Sequence, residues 1–281
     1  MPWYRGNLHT HTTESDGRRD PQVVIDDYAG RGYDFLAISD HDMITDPASF
    51  DARGMVLIRA NEVTARGGHI LHAGAASRIE PDSNRQNVLD AIRDDGGFAV
   101  MAHPNWKKNH DHWSREALDA HEGFLGIEVF NGVIDRLPGK AVATDRWDEL
   151  LTDGRKVWGF AHDDSHEAGD VARGWLMVQA SVRSSQAILE AIHQGQFYAS
   201  TGVTIERIGL QDDELVVETA DAQRIAVIAD SGRRVHEVDA AQMRFSIPAD
   251  ADWQYLRVEC FGPAEARAWT QPFFLRKNGG Q

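Results

Sequence analysis

His9 and His11 flank a single threonine in "GNLHTHTTESDG", and Asp16 follows five residues after the second histidine. Side chains two apart on an extended segment share a face. The two imidazoles can therefore grip one cation. A lone pair of this kind is equally compatible with two unrelated histidines on a half-buried strand, but the rest of the chain changes the odds. Of 13 histidines, His9, His11, His41, His69, His72, His103, His162 and His166 all fall in segments that read as strand ends. Asp16, Asp40, Glu62, Asp163 and Asp164 occupy the same kind of position. Such a cluster would be costly to desolvate without a compensating charge. Imidazole and carboxylate together suit borderline divalent cations such as Zn²⁺, Mn²⁺ or Fe²⁺.

Short apolar stretches alternate with helical ones over the first 200 residues. "PWYRGNLHTH", "YDFLAISDH", "GMVLIRANEVT", "GHILHAGA", "GFAVMAHP", "LGIEVFNG", "KVWGFAHDD" and "ARGWLMVQA" read as strands. Asp20-Pro21 pairs an N-cap with proline at the first helical position, and Gly32 closes that helix. Further helices are expected over "NRQNVLDAIRDD", capped by Ser83, after Ser114, over "VATDRWDELLTDG", and over "SSQAILEAIHQG" with Ser184 or Ser185 as cap. Strands alternating with helices predict a parallel sheet, and seven or eight such units a barrel whose catalytic groups gather at the C-terminal strand ends. Beyond "YASTGVTI" the pattern changes. "ELVVETA", "RIAVIAD", "MRFSIPA", "YLRVECFG" and "PFFLRK" read as strands joined by polar turns, which predicts a small antiparallel sheet or sandwich. The expected division is 1–200 for the barrel and 201–281 for the β domain.

A net charge of −15 argues against a nucleic-acid duplex or an anionic membrane as partner. Bound cations would neutralise part of that charge. The N-terminus lacks the basic start and apolar run of a secretion signal, no stretch approaches a membrane span, and Cys260 is the one cysteine. The expectation is a soluble cytoplasmic protein acting on a small molecule. Its oligomeric state is left open.

"NLHTHTTESDG", "AISDHD", "ANEVT", "GGHILHAG", "MAHPNW" and "DDSH" stand in the order found in the polymerase-and-histidinol-phosphatase (PHP) family of metal-dependent phosphoesterases, which the chain resembles over about residues 3–180. "EVFNG", "WDELL", "RGWLMV" and "FYASTG" resemble the branch related to carbaryl hydrolase. The resemblance implies a distorted (β/α)₇ barrel with two or three metals, and often a C-terminal β domain. Carried over by position, it makes His9 and His11 ligands of one metal, places Asp16 and His41 on another, and has Glu62 bridge two. His103 is a further ligand, and the closing Asp-x-His pair falls on Asp164 and His166. Either His69 or His72 supplies the imidazole after Glu62, with His69 favoured by its spacing to the glycines. Asp163 is the alternative to Asp164 if the strand ends one residue later. His162 is expected in a supporting or structural role.

Clustered divalent cations lower the pKa of a bound water, so that hydroxide exists near neutral pH, and offset charge that builds on the substrate's oxygens. The expected reaction is hydrolysis of a small phosphate ester. The same cluster could attack a carbamate or carboxylic ester, as the carbaryl-hydrolase resemblance implies. A non-catalytic barrel fits the near-complete ligand set less well. No P-loop and no GxSxG elbow is present. Three further residues are expected to act in catalysis: Arg173 as cationic donor to the ester, Asn131 as hydrogen-bond donor to substrate, and Asp40 as a residue orienting a ligand histidine or water. Lys107 and Lys108 are expected to line the mouth.

Because a ligand bound only by the folded state adds stability by mass action, chelation should lower the melting temperature and restored Mn²⁺ or Zn²⁺ should raise it. An unchanged melting curve after confirmed metal loss would contradict a cluster linked to folding.

Overall fold

A computed structural model describes residues 1–275. The strands and helices, in chain order, are β1 (Trp3–Asn7), α1 (Pro21–Gly30), β2 (Phe35–Ile38), β3 (Val56–Val63), β4 (Ile70–Ala73), α2 (Arg85–Asp95), β5 (Phe98–Met101), α3 (Arg115–Asp119), β6 (Gly126–Asn131), α4 (Thr144–Thr152), β7 (Trp158–His162), β8 (Trp175–Gln179), α5 (Ser185–His193) and β9 (Phe197–Ser200). These are followed by β10 (Ile205–Gln211), β11 (Glu214–Thr219), β12 (Arg224–Ala229), β13 (Arg233–Val238), β14 (Gln242–Ser246), β15 (Tyr255–Phe261), β16 (Arg267–Thr270) and β17 (Phe273–Phe274).

The helices begin where their caps allow. Asp20 accepts the Gln22 N–H at the start of α1, Ser114 that of Ala117 in α3, and Ser184 that of Ala187 in α5. Asn84, one residue after the expected Ser83, caps α2 by accepting from Gln86.

β1–β2–β3 pair in parallel, as do β5–β6–β7, while β4 runs antiparallel to both β3 and β5. The sheet then curls until its two ends meet. The Asp164 N–H donates to His9 O at 3.0 Å and the His11 N–H to Ser165 O at 2.9 Å, joining the chain after β7 to the chain after β1. The result is a distorted α/β barrel in which parallel pairing is interrupted at β4.

Alternation along the strands sorts the core. Phe35, Ala37, Ile58, Ala60, Leu71, Val100 and Phe160 cluster with Ile188 and Ile192 of α5. The alternate residues Leu36 and Ile38 pack instead on Val24, Ile25 and Tyr28 of α1.

The sheet does not stop at residue 200. On its other edge β1 pairs with β8, β8 with β9, and β9 with β16, which continues through β15 and β12 to β13, all antiparallel. A separate sheet of β10, β11 and β14 covers this extension, and Leu215, Val217 and Met243 meet Ile225, Val227, Leu256 and Val258 between the layers. β9, β10, β13 and β16 did not stand out in the sequence. Of the expected strand "PFFLRK", Arg276 and Lys277 lie outside the described residues.

One buried ionic joint ties this extension to the barrel. Arg257, 2% exposed, donates to Asp148 of α4 through Nε (2.7 Å) and Nη2 (2.6 Å), and to Glu259 through Nη1 (2.7 Å). Tyr255 Oη donates to the same Asp148 at 2.8 Å. Removing one partner of a buried pair strands the other charge. Arg257→Met should therefore lower unfolding free energy by about 3–5 kcal/mol in a denaturant titration. Adding Asp148→Leu should recover part of the loss. A single-variant cost below about 1 kcal/mol would show that Asp148 finds water.

Candidate metal centre

The polar groups gather at one end of the barrel because the loops leaving β1, β2, β5 and β7 all open there. His9 and His11 follow β1, His41 follows β2, Glu62 is the penultimate residue of β3, His69 immediately precedes β4, His103 follows β5, and Asp164 and His166 follow β7. Asp16 arrives on the loop after His11. Gly17 makes that return possible: a Cβ there would lie 2.6 Å from the His11 carbonyl carbon and 2.7 Å from Thr12 N.

Glu62 is the hub. Its carboxylate is wholly buried and has five imidazoles around it. Oε1 lies 3.1 Å from His69 Nδ1, 3.2 Å from His103 Nε2 and 3.4 Å from His9 Nε2. Oε2 lies 2.9 Å from His41 Nδ1 and 3.6 Å from His11 Nε2. Asp164 forms a second centre, with Oδ1 3.1 Å from His11 Nε2 and 3.3 Å from His9 Nε2. Asp16 Oδ1 joins His41 Nε2 at 3.4 Å and His166 Nε2 at 3.3 Å.

Burial alone would raise the Glu62 and Asp164 pKa values, but the surrounding imidazoles outweigh it and hold both well below the usual carboxylate range. Hydrogen bonds to His166 and His41 lower Asp16 as well. Burial opposes charge on His41, yet Asp16 and Glu62 prevail and raise it to about 10. His11 and His69, for which burial prevails, are lowered.

The backbone is bent to aim these groups. His103 (φ 31°) and Asp164 (φ 52°) both adopt left-handed conformations that cost a residue with a Cβ of order 1–3 kcal/mol. Each is fixed by its amide: His103 N–H donates to Glu128 Oε2 at 2.7 Å, and Asp164 N–H to the His9 carbonyl.

Glu128 is the principal residue that the motif reading missed. It sits in the fully buried strand "GIEVFN", where its lone charge was the available signal. Oε1 accepts from His9 Nδ1 at 2.7 Å and His162 Nδ1 at 2.8 Å, and Oε2 also accepts from Asn131 Nδ2 at 2.7 Å. A carboxylate hydrogen-bonded to Nδ1 leaves Nε2 as the free face of the His9 ring, the arrangement that orients metal-binding histidines. His112 was missed too. Burial, then His103 and His69, push it down to about 2, so its neutral Nε2 accepts the His69 N–H at 2.9 Å.

His69 lies beside Glu62. His72 lies on the opposite face of β4, buried between Asn61 and Asp95. Asp164 faces the histidines, whereas Asp163 accepts from the amides of Ala172, Arg173 and Gly174 and from Tyr28 Oη.

Three expectations for catalytic groups need correction. Asp40 is fully buried, and its carboxylate accepts from Thr12 N and Oγ1, Ser15 Oγ and Thr45 Oγ1 at 2.5–2.8 Å, so it clamps the loop carrying Asp16. Asn131 is 1% exposed and spends its amide on Glu128 and on Asp164 Oδ2 at 3.2 Å, too deep for substrate. Arg173 points away: its guanidinium pairs with Asp135 at 2.6 Å in a different surface depression.

The cavity over the histidines, about 370 Å³, is bordered instead by Arg18 and Arg136. Lys107 and Lys108 are exposed and do not line it.

Among the described residues, several buried atoms in the cluster make no well-aligned hydrogen bond despite these close approaches: His9 Nε2, both ring nitrogens of His11, and Glu62 Oε2. Unpartnered lone pairs at this depth are costly unless a cation meets them. The donor set fits divalent metal on that ground. Two overlapping groups of donors each close enough to share an ion are His11–Asp16–His41–His166 and His9–His11–Glu62.

No protein-family model and no curated protein matches the chain. Among solved structures it is similar to a two-domain protein from Bacteroides vulgatus containing a predicted PHP-like metal-dependent phosphoesterase, with TM-score 0.59 and 17% identity over 99% of this chain and 88% of that one. A candidate metal-dependent phosphoesterase from Bifidobacterium adolescentis aligns with 58% of this chain and 88% of its own, at 18% identity and TM-score 0.46. An amidohydrolase from Chromobacterium violaceum, with bound sulfate and no metal, aligns with 59% and 88%, at 19% identity and TM-score 0.42. The first likeness spans nearly the whole chain and establishes a shared fold.

The raised pKa of His41 makes a signed prediction. The stability it lends the metal-free protein is complete below about 6.5, its ordinary value, and is lost as pH rises through about 10. A cation bound by His41 would have to displace that proton, so metal binding there should strengthen with rising pH while this contribution to metal-free stability falls. Calorimetry at pH 8 in buffers of different ionisation enthalpy should report net proton release. Zero release would contradict a protonated His41.

Proposed function

We propose that the protein is a metal-dependent hydrolase of the PHP type that cleaves a small phosphate ester. The observation that carries this is Glu62. One buried carboxylate encircled by His9, His11, His41, His69 and His103 suits a residue that bridges two cations. The proposed ligands are His9, His11, Asp16, His41, Glu62, His69, His103, Asp164 and His166, holding two or three ions of Zn, Mn or Fe. Bound there, the cations would supply a water acidified toward neutral pH and positive charge for the oxygens of the transition state.

The chain's own residues do the rest. Glu128 and Asn131 keep His9, His103 and Asp164 in place, and Asp40 keeps the Asp16 loop folded over the site. Residues 1–200 hold every group of the site. We assign the described part of the expected 201–281 domain, residues 201–275, to a β unit that buttresses α4. Among the described residues no helix is long and apolar enough to cross a membrane. Cys260 is buried and unpaired, in keeping with the cytoplasm.

A second reading, hydrolysis of a carbamate or carboxylic ester, is favoured by one feature. Both arginines at the cavity already face carboxylates, Arg136 on Asp170 and Arg18 on Glu167. That arrangement reserves no guanidinium for a phosphoryl group. Metal-reconstituted protein assayed on matched phosphate, acetate and carbamate esters separates the two readings.

Glu62→Gln keeps the shape but removes the bridging charge. It should shed metal and lower turnover by about 10²-fold or more. Normal metal content and turnover in that variant would sink the bridging role. A metal-loaded wild type inert on every ester would favour a non-catalytic barrel.

A further inference from the structure

Resting on that hydrolase reading, we infer that the alcohol half of the substrate is a small uncharged hydrocarbon group, alkyl or aryl, seated against Trp106 and Leu137.

The cavity has two unlike halves. Its floor is imidazole and carboxylate. Its apolar lining comes from Trp106 of the loop after β5, whose ring packs against those of His69 and His103, and from Val133, Ile134 and Leu137 of the segment after β6. Val133 and Ile134 are nearly buried and act as backing, while Trp106 and Leu137 are partly exposed and present the surface.

The two loops are locked to each other. Trp106 and Gly139 form an antiparallel bridge, and Lys140 N–H donates to Asn105 O at 3.0 Å. Gly139 has φ 148°, and a Cβ there would lie 2.7 Å from Asn105 O and 3.0 Å from Trp106 Cα. The wall is therefore a fixed surface.

What the lining omits is as informative. Among the described residues, no serine, threonine, asparagine, glutamine or tyrosine borders this cavity. A polyol or nucleoside entering it would surrender water and find few partners on the wall, a penalty of the kind that makes sites reject mismatched polar groups. The rim is also close to charge balance. Arg136 gives Nε and Nη2 to Asp170 at 2.8 Å each, and Asp170, 4% exposed, is held in turn by the amides of His166 and Glu167. Arg18 pairs with Glu167 at 3.1 Å. A second anionic group on the substrate would compete with buried Asp170 for Arg136, since the exposed Arg18–Glu167 pair is weak, whereas a hydrocarbon group gains by leaving water.

The test compares esters that share a three-carbon skeleton. Metal-reconstituted protein is assayed on propyl phosphate against glycerol phosphate, and on propyl acetate against glyceryl acetate. Binding of propylphosphonate and of 2,3-dihydroxypropylphosphonate is measured by calorimetry. The propyl member should be preferred by about 10-fold in kcat/KM and in Kd, and Leu137→Asn should bring that ratio to within about 3-fold of unity. Turnover of the acetates alone would overturn the phosphoesterase reading, and the wall would then be judged on the acetate pair. Equal use of both members, or preference for the glyceryl one, in whichever pair reacts would overturn the inference while leaving the hydrolase reading intact. A ratio unmoved by Leu137→Asn would also overturn it. No turnover and no binding in any pair would overturn both.

Discussion

The burial of the Glu62 carboxylate governs the rest of the architecture. A carboxylate at zero exposure must be matched by positive charge. Here five imidazoles delivered by three loops and one strand edge surround it, His41 supplying positive charge, and each delivery shapes a local feature. The loop after β1 must place His9 and His11 on one side while Thr10, between them, bridges to Ser165. The chain after β5 must turn through a left-handed residue at His103, and the chain after β7 through another at Asp164. None of these bends would persist without the buried hydrogen bonds that over-determine them.

That support comes from a second tier of carboxylates. Glu128 reaches His9, His162 and the His103 amide at once, and Asp40 gathers Thr12, Ser15 and Thr45. Asp163 draws three successive amides of the segment leading into β8. Asp40 and Asp163 look interchangeable with the site carboxylates in a sequence, since both kinds sit at strand ends, whereas Glu128 lies inside β6. Their partners distinguish them. A carboxylate saturated by hydroxyls and amides, as Asp40 and Asp163 are, fixes a loop; Glu128 instead holds the Nδ1 side of two rings and leaves the His9 Nε2 turned toward Glu62 and Asp164.

The C-terminal sheet reaches the same site indirectly. Arg257 and Tyr255 of β15 hold Asp148, one turn along α4 from Asp145, and Asp145 accepts from Asn105 Nδ2 at 2.8 Å, two residues past His103. Continuous pairing from β8 through β9 to β16 makes the two parts one sheet. The apolar wall depends on the same loop, because Trp106 follows Asn105.

The local pattern determined much of this chain before any fold was known. Hydrophobic alternation and caps located most strands and helices of the first 200 residues, because those signals depend on neighbours a few positions away. The histidine spacing marked the metal-binding chemistry for the same reason. Tertiary structure alone decided the directions of side chains. Whether His69 or His72 meets Glu62 depends on the face of β4 turned inward, and Asp164 rather than Asp163 faces the histidines because of one left-handed residue. Arg173 belongs to another surface because its backbone is drawn to Asp163 and its guanidinium to Asp135. Glu128 acquired its role only when β6 closed beside β7 and brought it under His9, 119 positions away in the chain. Contacts of that range are set by how a barrel closes, and no local stretch of sequence carries that information.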